Sequence, residues 1–116
     1  NAEGAPRIYR INIAPDAPRR QEAQVVGSIQ PLGHPVTDAA LSPSGTLYLL
    51  TYRGIYRVPL WSGLNSVPAE RVVGGWHWGQ SESLVSLSDS DFLIGREDGL
   101  IFQWKDGRFL SRLELP

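Results

Sequence analysis

The chain has 116 residues, with 11 Lys plus Arg against 12 Asp plus Glu and a net charge of −1, a balance that leaves no electrostatic footprint for nucleic acid or an anionic membrane surface. It contains no cysteine, which excludes a disulfide scaffold, a thiolate zinc site and a cysteine nucleophile together. No apolar run approaches the roughly 18 residues needed to insert in a membrane, and the N-terminus lacks the charged and apolar regions of a signal peptide. The sequence therefore reads as a soluble chain. Starting at Asn1 and lacking methionine, it reads as either a processed mature chain or a fragment of a longer product. The compartment stays open, with a secreted or periplasmic one slightly favoured.

Gly 12 and Pro 9, with no long run of apolar residues at helical spacing, predict many short strands and turns. In chain order, strands are expected over 7–13 and 24–30, separated by an exposed loop that carries two prolines and Arg19-Arg20. A second group follows at 37–41, 46–51, 54–60 and 69–74. Its turns are Ser42-Pro43-Ser44-Gly45, where proline presets φ and glycine accepts a positive one, and Tyr52-Arg53-Gly54. A longer connection at 61–68 is rich in Ser, Gly, Asn and Pro. The third group is expected at 83–87, 92–95, 100–104 and 109–115, with Lys105-Asp106-Gly107 as its last turn.

These groups repeat. Ile8-Tyr9-Arg10-Ile11 recurs 47 residues later as Ile55-Tyr56-Arg57-Val58 and 46 beyond that as Ile101-Phe102-Gln103-Trp104. Val25-Val26-Gly27 recurs as Val72-Val73-Gly74, and Leu41-Ser42 as Leu87-Ser88. A period in the forties built from short alternating strands is that of one four-stranded propeller blade, whereas helical repeats of that length would show helical periodicity. The expected fold class is all-β: about two and a half four-stranded antiparallel β-propeller blades, a half blade at 7–30 (strands three and four), a blade at 36–75 and a blade at 82–116. Since a blade buries its faces against neighbours, the missing blades are expected from another chain, another segment or self-association. A small sandwich or open barrel of about ten short strands is the alternative.

In a propeller the loops between strands two and three, and those from strand four to the next blade, share one face. That face would collect Tyr52, Arg53, Trp76, His77, Trp78 and Arg96, the candidate binding residues. Gly75-Trp76-His77-Trp78-Gly79 stands out, because two exposed tryptophans ask for a ligand or partner to cover them; the competing assignment tucks Trp76 and Trp78 between blades. Asp38 and Glu82 each open the first strand of a blade on equivalent strand faces, so their oxygens could bind calcium, or else each accepts backbone or arginine hydrogen bonds. Asp89-Ser90-Asp91 reads as turn chemistry. His34 and His77 have no nucleophile paired with them, and no catalytic or phosphate-binding motif is present.

The segment Val36-Thr37-Asp38-Ala39-Ala40-Leu41-Ser42-Pro43-Ser44-Gly45, with Leu49-Leu50-Thr51-Tyr52-Arg53-Gly54-Ile55-Tyr56, resembles bacterial propeller proteins of the esterase-like, phytase-like and WD40-like kinds. Their pattern is Thr-Asp-Ala, Ser-Pro-Asp-Gly and Arg-Thr-Tyr. Gln80-Ser81-Glu82-Ser83-Leu84 is similar to their Gln-Gly-Glu-Ala segment. The resemblance implies the propeller fold; phytase-like chemistry would make Asp38 and Glu82 calcium ligands. The expected function is a binding or scaffold module, without catalytic residues or an obligate cofactor, that recognises a protein or carbohydrate. The competing expectations are a calcium-dependent phosphate- or carboxylic-ester hydrolase, and a structural segment that docks in a larger assembly.

Overall fold

The computed structural model describes residues 6–59, 66–74 and 80–114. It is all-β: among the described residues there are eleven strands and no helix, hence none long and apolar enough to cross a membrane. The strands form three sheets.

The first sheet pairs β1 (Arg7–Arg10) with β2 (Gln24–Ile29) antiparallel, with an irregularity between Ile8 and Tyr9. A third member departs from the expected pattern: β6 (Ser66–Val67) lies parallel to β2. It falls inside the stretch expected to be a plain connection. The second sheet is an antiparallel meander of β3 (Asp38–Leu41), β4 (Leu47–Thr51), β5 (Gly54–Val58) and β7 (Glu70–Gly74). The third is another, of β8 (Ser81–Ser88), β9 (Asp91–Arg96), β10 (Leu100–Lys105) and β11 (Arg108–Glu114). Expected strands and turns agree with these to within a few residues.

Local chemistry explains the turns. Asp106 and Gly107 take φ values of 51° and 89°, the left-handed pair that a tight two-residue hairpin loop requires and that Asp-Gly supplies at little steric cost. At the β3–β4 turn, Gly45 N donates to Ser42 O at 2.8 Å, and the buried Ser42 hydroxyl accepts from Thr46 N at 3.1 Å.

The sheets stack face to face with the second in the middle, because β4 is apolar on both faces. Tyr48 and Leu50 point to the third sheet, where they pack with Ile55, Val73, Leu84, Phe92 and Ile94. Leu47 and Leu49 point the other way and pack with Val58, Ile8 and Ile29 against the first sheet. Period-2 alternation thus feeds two cores from one strand. Each fully buried aliphatic or aromatic side chain contributes about 1.5–3 kcal/mol relative to exposure. In the larger core the rings of Tyr48 and Phe92 meet edge to face, with centroids 4.8 Å apart.

A polar clasp closes one end of this interface. The carboxylate of Asp89, in the β8–β9 turn, accepts from Ser44 Oγ at 2.6 Å and from the Tyr48 hydroxyl at 2.7 Å. These hydrogen bonds, that of Ser44 first, hold the Asp89 carboxyl down from 3.8 to about 2. Burial, and then Asp89 itself, push the Tyr48 hydroxyl up from 10.0 to about 12. A carboxyl with a depressed folded value stabilises the fold above the unfolded value and loses that contribution as pH falls through the folded one. A phenol with a raised folded value does the reverse. The clasp should therefore weaken from about pH 4 downward to pH 2 and again from pH 10 to 12. Melting temperature across pH should show both losses in the native protein, a flattened acid limb in Asp89→Asn and a flattened alkaline limb in Tyr48→Phe. An alkaline limb identical in Tyr48→Phe and the native chain would contradict the clasp.

Candidate functional site

At the end of the stack opposite the clasp, three segments converge: the β4–β5 hairpin at Tyr52-Arg53, the start of β8 at Ser81-Glu82, and the β9–β10 hairpin at Glu97-Asp98-Gly99. Backbone bonding ties them together, since Glu97 N donates to Gln80 O at 3.0 Å. Thr37 Oγ1 donates to Ser81 O at 2.7 Å and so links the second sheet to the third. The hairpin that presents Tyr52 and Arg53 is locked by buried Thr51, whose hydroxyl accepts from Arg53 N at 3.0 Å.

Tyr52 and Glu82, exposed and 30 residues apart in the chain, meet across the two sheets: the Tyr52 hydroxyl donates to Glu82 Oε1 at 2.9 Å. That bond, with partial desolvation and the charges of Glu82 and Glu97, raises the Tyr52 hydroxyl above its ordinary value. Arg96 leaves the end of β9 and donates to Asp98 Oδ2 at 2.7 Å. Its guanidinium lies 5.7 Å from the centroid of the Phe102 ring, within the range of a cation–π contact. Its Nε is buried and has no hydrogen-bond partner among the described residues. The end surface thus carries an exposed phenol, two arginines and the carboxylates of Glu82, Glu97 and Asp98, held by the ends of rigid strands.

Asp38 is occupied differently. Its Oδ1 accepts from Ala39 N and its Oδ2 from Leu84 N, both at 2.8 Å. The second bond crosses from β3 to β8, so Asp38 acts as an intersheet tie, the backbone-bonded alternative raised for it from sequence. Glu82, the other candidate calcium ligand, accepts the hydrogen bond of the Tyr52 hydroxyl. Among the described residues no group of three or more His, Asp or Glu is placed to hold a metal ion. Trp76, His77 and Trp78 lie outside the described residues. His34 lines a cleft between the first two sheets with Ile8, Ile29 and Val36.

Sequence reasoning brought Tyr52, Arg53, Glu82 and Arg96 to one end and missed the Tyr52–Glu82 bond and the Arg96–Asp98 pair. It also missed the clasp, whose only sequence trace is the recurrence of Ser42 and Ser44 as Ser88 and Ser90. No family model, curated protein or solved structure matches the chain.

Proposed function

We propose that the chain is a run of β-propeller blades serving as a binding or scaffold module, and that it recognises a protein or carbohydrate at the end bearing Tyr52, Arg53, Glu82 and Arg96. Two features support the propeller part: the 46- to 47-residue repeat, and two successive four-stranded meanders stacked front to back. The observation that carries the binding part is the Tyr52–Glu82 hydrogen bond between adjacent sheets, flanked by Arg53 and by Arg96 stacked on Phe102. An amphipathic ring beside fixed donors and acceptors is the composition of protein and sugar recognition surfaces. Engagement of each Asp38 oxygen by a backbone amide favours this reading over calcium-dependent ester hydrolysis.

Titration of a panel of oligosaccharides and charged peptides, followed by amide NMR, should move the signals of Tyr52, Arg53, Glu82 and Arg96. Truncating an aromatic or arginine anchor typically costs about 1–2 kcal/mol in binding, so Tyr52→Ala and Arg96→Ala should each weaken the affinity by about five- to thirtyfold. Shifts confined to other surfaces, or none across the panel, would remove the reading and leave the structural-segment alternative.

A further inference from the structure

The two exposed ends of the sheet stack are complementary to each other by the same repeat that builds its interior. Ile8, Ile55 and Ile101 occupy equivalent positions in the repeat. Ile8 packs between the first and second sheets, and Ile55, at 0% exposure, between the second and third. Ile101 stands on the outer face of the third sheet, since its neighbour Phe102 shares the alternation of Trp104, which packs inward. Beside it on that face are Leu93, which separates the inward Phe92 and Ile94, and its cross-strand partner Val85, 51% exposed.

The backs of the sheets repeat too. Val58 in the second sheet is 3% exposed against the first sheet, with Tyr56 packed beside it. Trp104 does the same in the third sheet. Their counterparts in the first sheet, Tyr9 and Ile11, are 53% and 58% exposed. Among the described residues, a front of the kind that twice receives a neighbouring sheet therefore has no sheet on it at one end, and a back of the kind that twice is covered has none at the other.

We infer that a second copy of this chain docks head to tail, its Tyr9 and Ile11 face seated on the Val85, Leu93 and Ile101 face of the first. Such a contact joins unlike surfaces, so it propagates: successive copies close into a ring if the rotation per chain divides the circle, and otherwise grow into a filament. The inference rests on the stacked repeat alone and is independent of ligand recognition at the Tyr52 end, where neither face lies. Loss of ligand binding leaves it standing, and its own failure leaves the binding reading standing.

Sedimentation and light scattering of the chain over a wide concentration series should give masses of two or more chains. Val85→Asp, which places a charge on the front, and Tyr9→Asp, which places one on the back, should each leave only monomer. An equimolar mixture of the two variants retains one intact front and one intact back, and should stop at a mixed dimer. Both positions are exposed, so circular dichroism should show native folds; Ile11→Asp is the second back-face variant should Tyr9→Asp fail to fold. A native chain that stays monomeric throughout would overturn the inference. So would association that survives Tyr9→Asp and Ile11→Asp but not Val85→Asp, which would mean front-to-front pairing instead.

Discussion

Phe92→Ala should lower the stability of the chain by about 3–5 kcal/mol, the usual cost of removing a buried phenyl ring. Phe92 is 1% exposed and sits where the second and third sheets meet, its ring edge to face with that of Tyr48; such aromatic pairs add about 0.5–1.5 kcal/mol beyond their area. Leu50, Ile55 and Val73 on one sheet and Leu84 and Ile94 on the other belong to the same core. Strand backbones cannot close around the vacancy without breaking ladder bonds, which keeps the cavity open. Domains of this size have about 5–15 kcal/mol in total, so one substitution removes a large fraction of it. Urea denaturation is the measurement: the midpoint should fall steeply with little change in slope. Leu110→Ala, at a residue half exposed on β11, is the control and should stay within about 0.5 kcal/mol of the native chain. A cost below about 1 kcal/mol for Phe92→Ala would mean that the two sheets are not packed as described.

Why so much of this fold is legible in the sequence, and some of it not, follows from the range of the forces involved. Strand positions are set by local alternation and by turn chemistry such as Ser42 to Gly45 and Asp106-Gly107, so a reading of neighbours finds them. The repeat is legible because Ile8, Ile55 and Ile101 recur at 46 to 47 residues. β6 is not, since two residues carry no period and its partner β2 lies nearly 40 residues earlier. The same limit governs the site. Hairpin phasing is enough to send Tyr52 and Arg96 to one end. The occupant of the Asp38 carboxylate depends on how far β8 slides along β3, because a slip of one residue would replace the Leu84 amide by another group. Asp89 reads as an ordinary turn residue for a related reason: the phenol it receives comes from Tyr48, 41 residues away.

The two ends of the second and third sheets consequently do different work. At one, hydroxyls and a carboxylate are consumed in the Ser44–Asp89–Tyr48 clasp. At the other, Tyr52, Arg53, Glu82 and Glu97 remain at the surface. Strand ends anchored in a shared core give those groups fixed positions, which lowers the ordering cost of binding.

Gly54→Ala should be the most damaging change at that second end. Gly54 opens β5 directly after Arg53, with φ at +153°, in the region that side chains avoid. An added Cβ would lie 2.2 Å from the carbonyl oxygen of Val73 and 3.2 Å from Arg71 Cδ. The arginine can move; the carbonyl belongs to β7, paired with β5 through Gly54↔Gly74 and Ile55↔Val73, and cannot yield without parting the strands. Backbone strain alone costs about 1–3 kcal/mol at such positions, and the clash adds to it. Gly107, at φ +89° and with open space within 4 Å of where a Cβ would stand, carries backbone strain without a clash, so Gly107→Ala should cost clearly less. Thermal denaturation of both variants measures the difference. Since Val73 lies in the core and Gly54 closes the Tyr52-Arg53 hairpin, Gly54→Ala should also displace the amide signals of Tyr52, Arg53 and Glu82 before any unfolding. Equal losses in the two glycine variants, with those amides unmoved, would show that β5 and β7 do not approach as closely as the pairing requires.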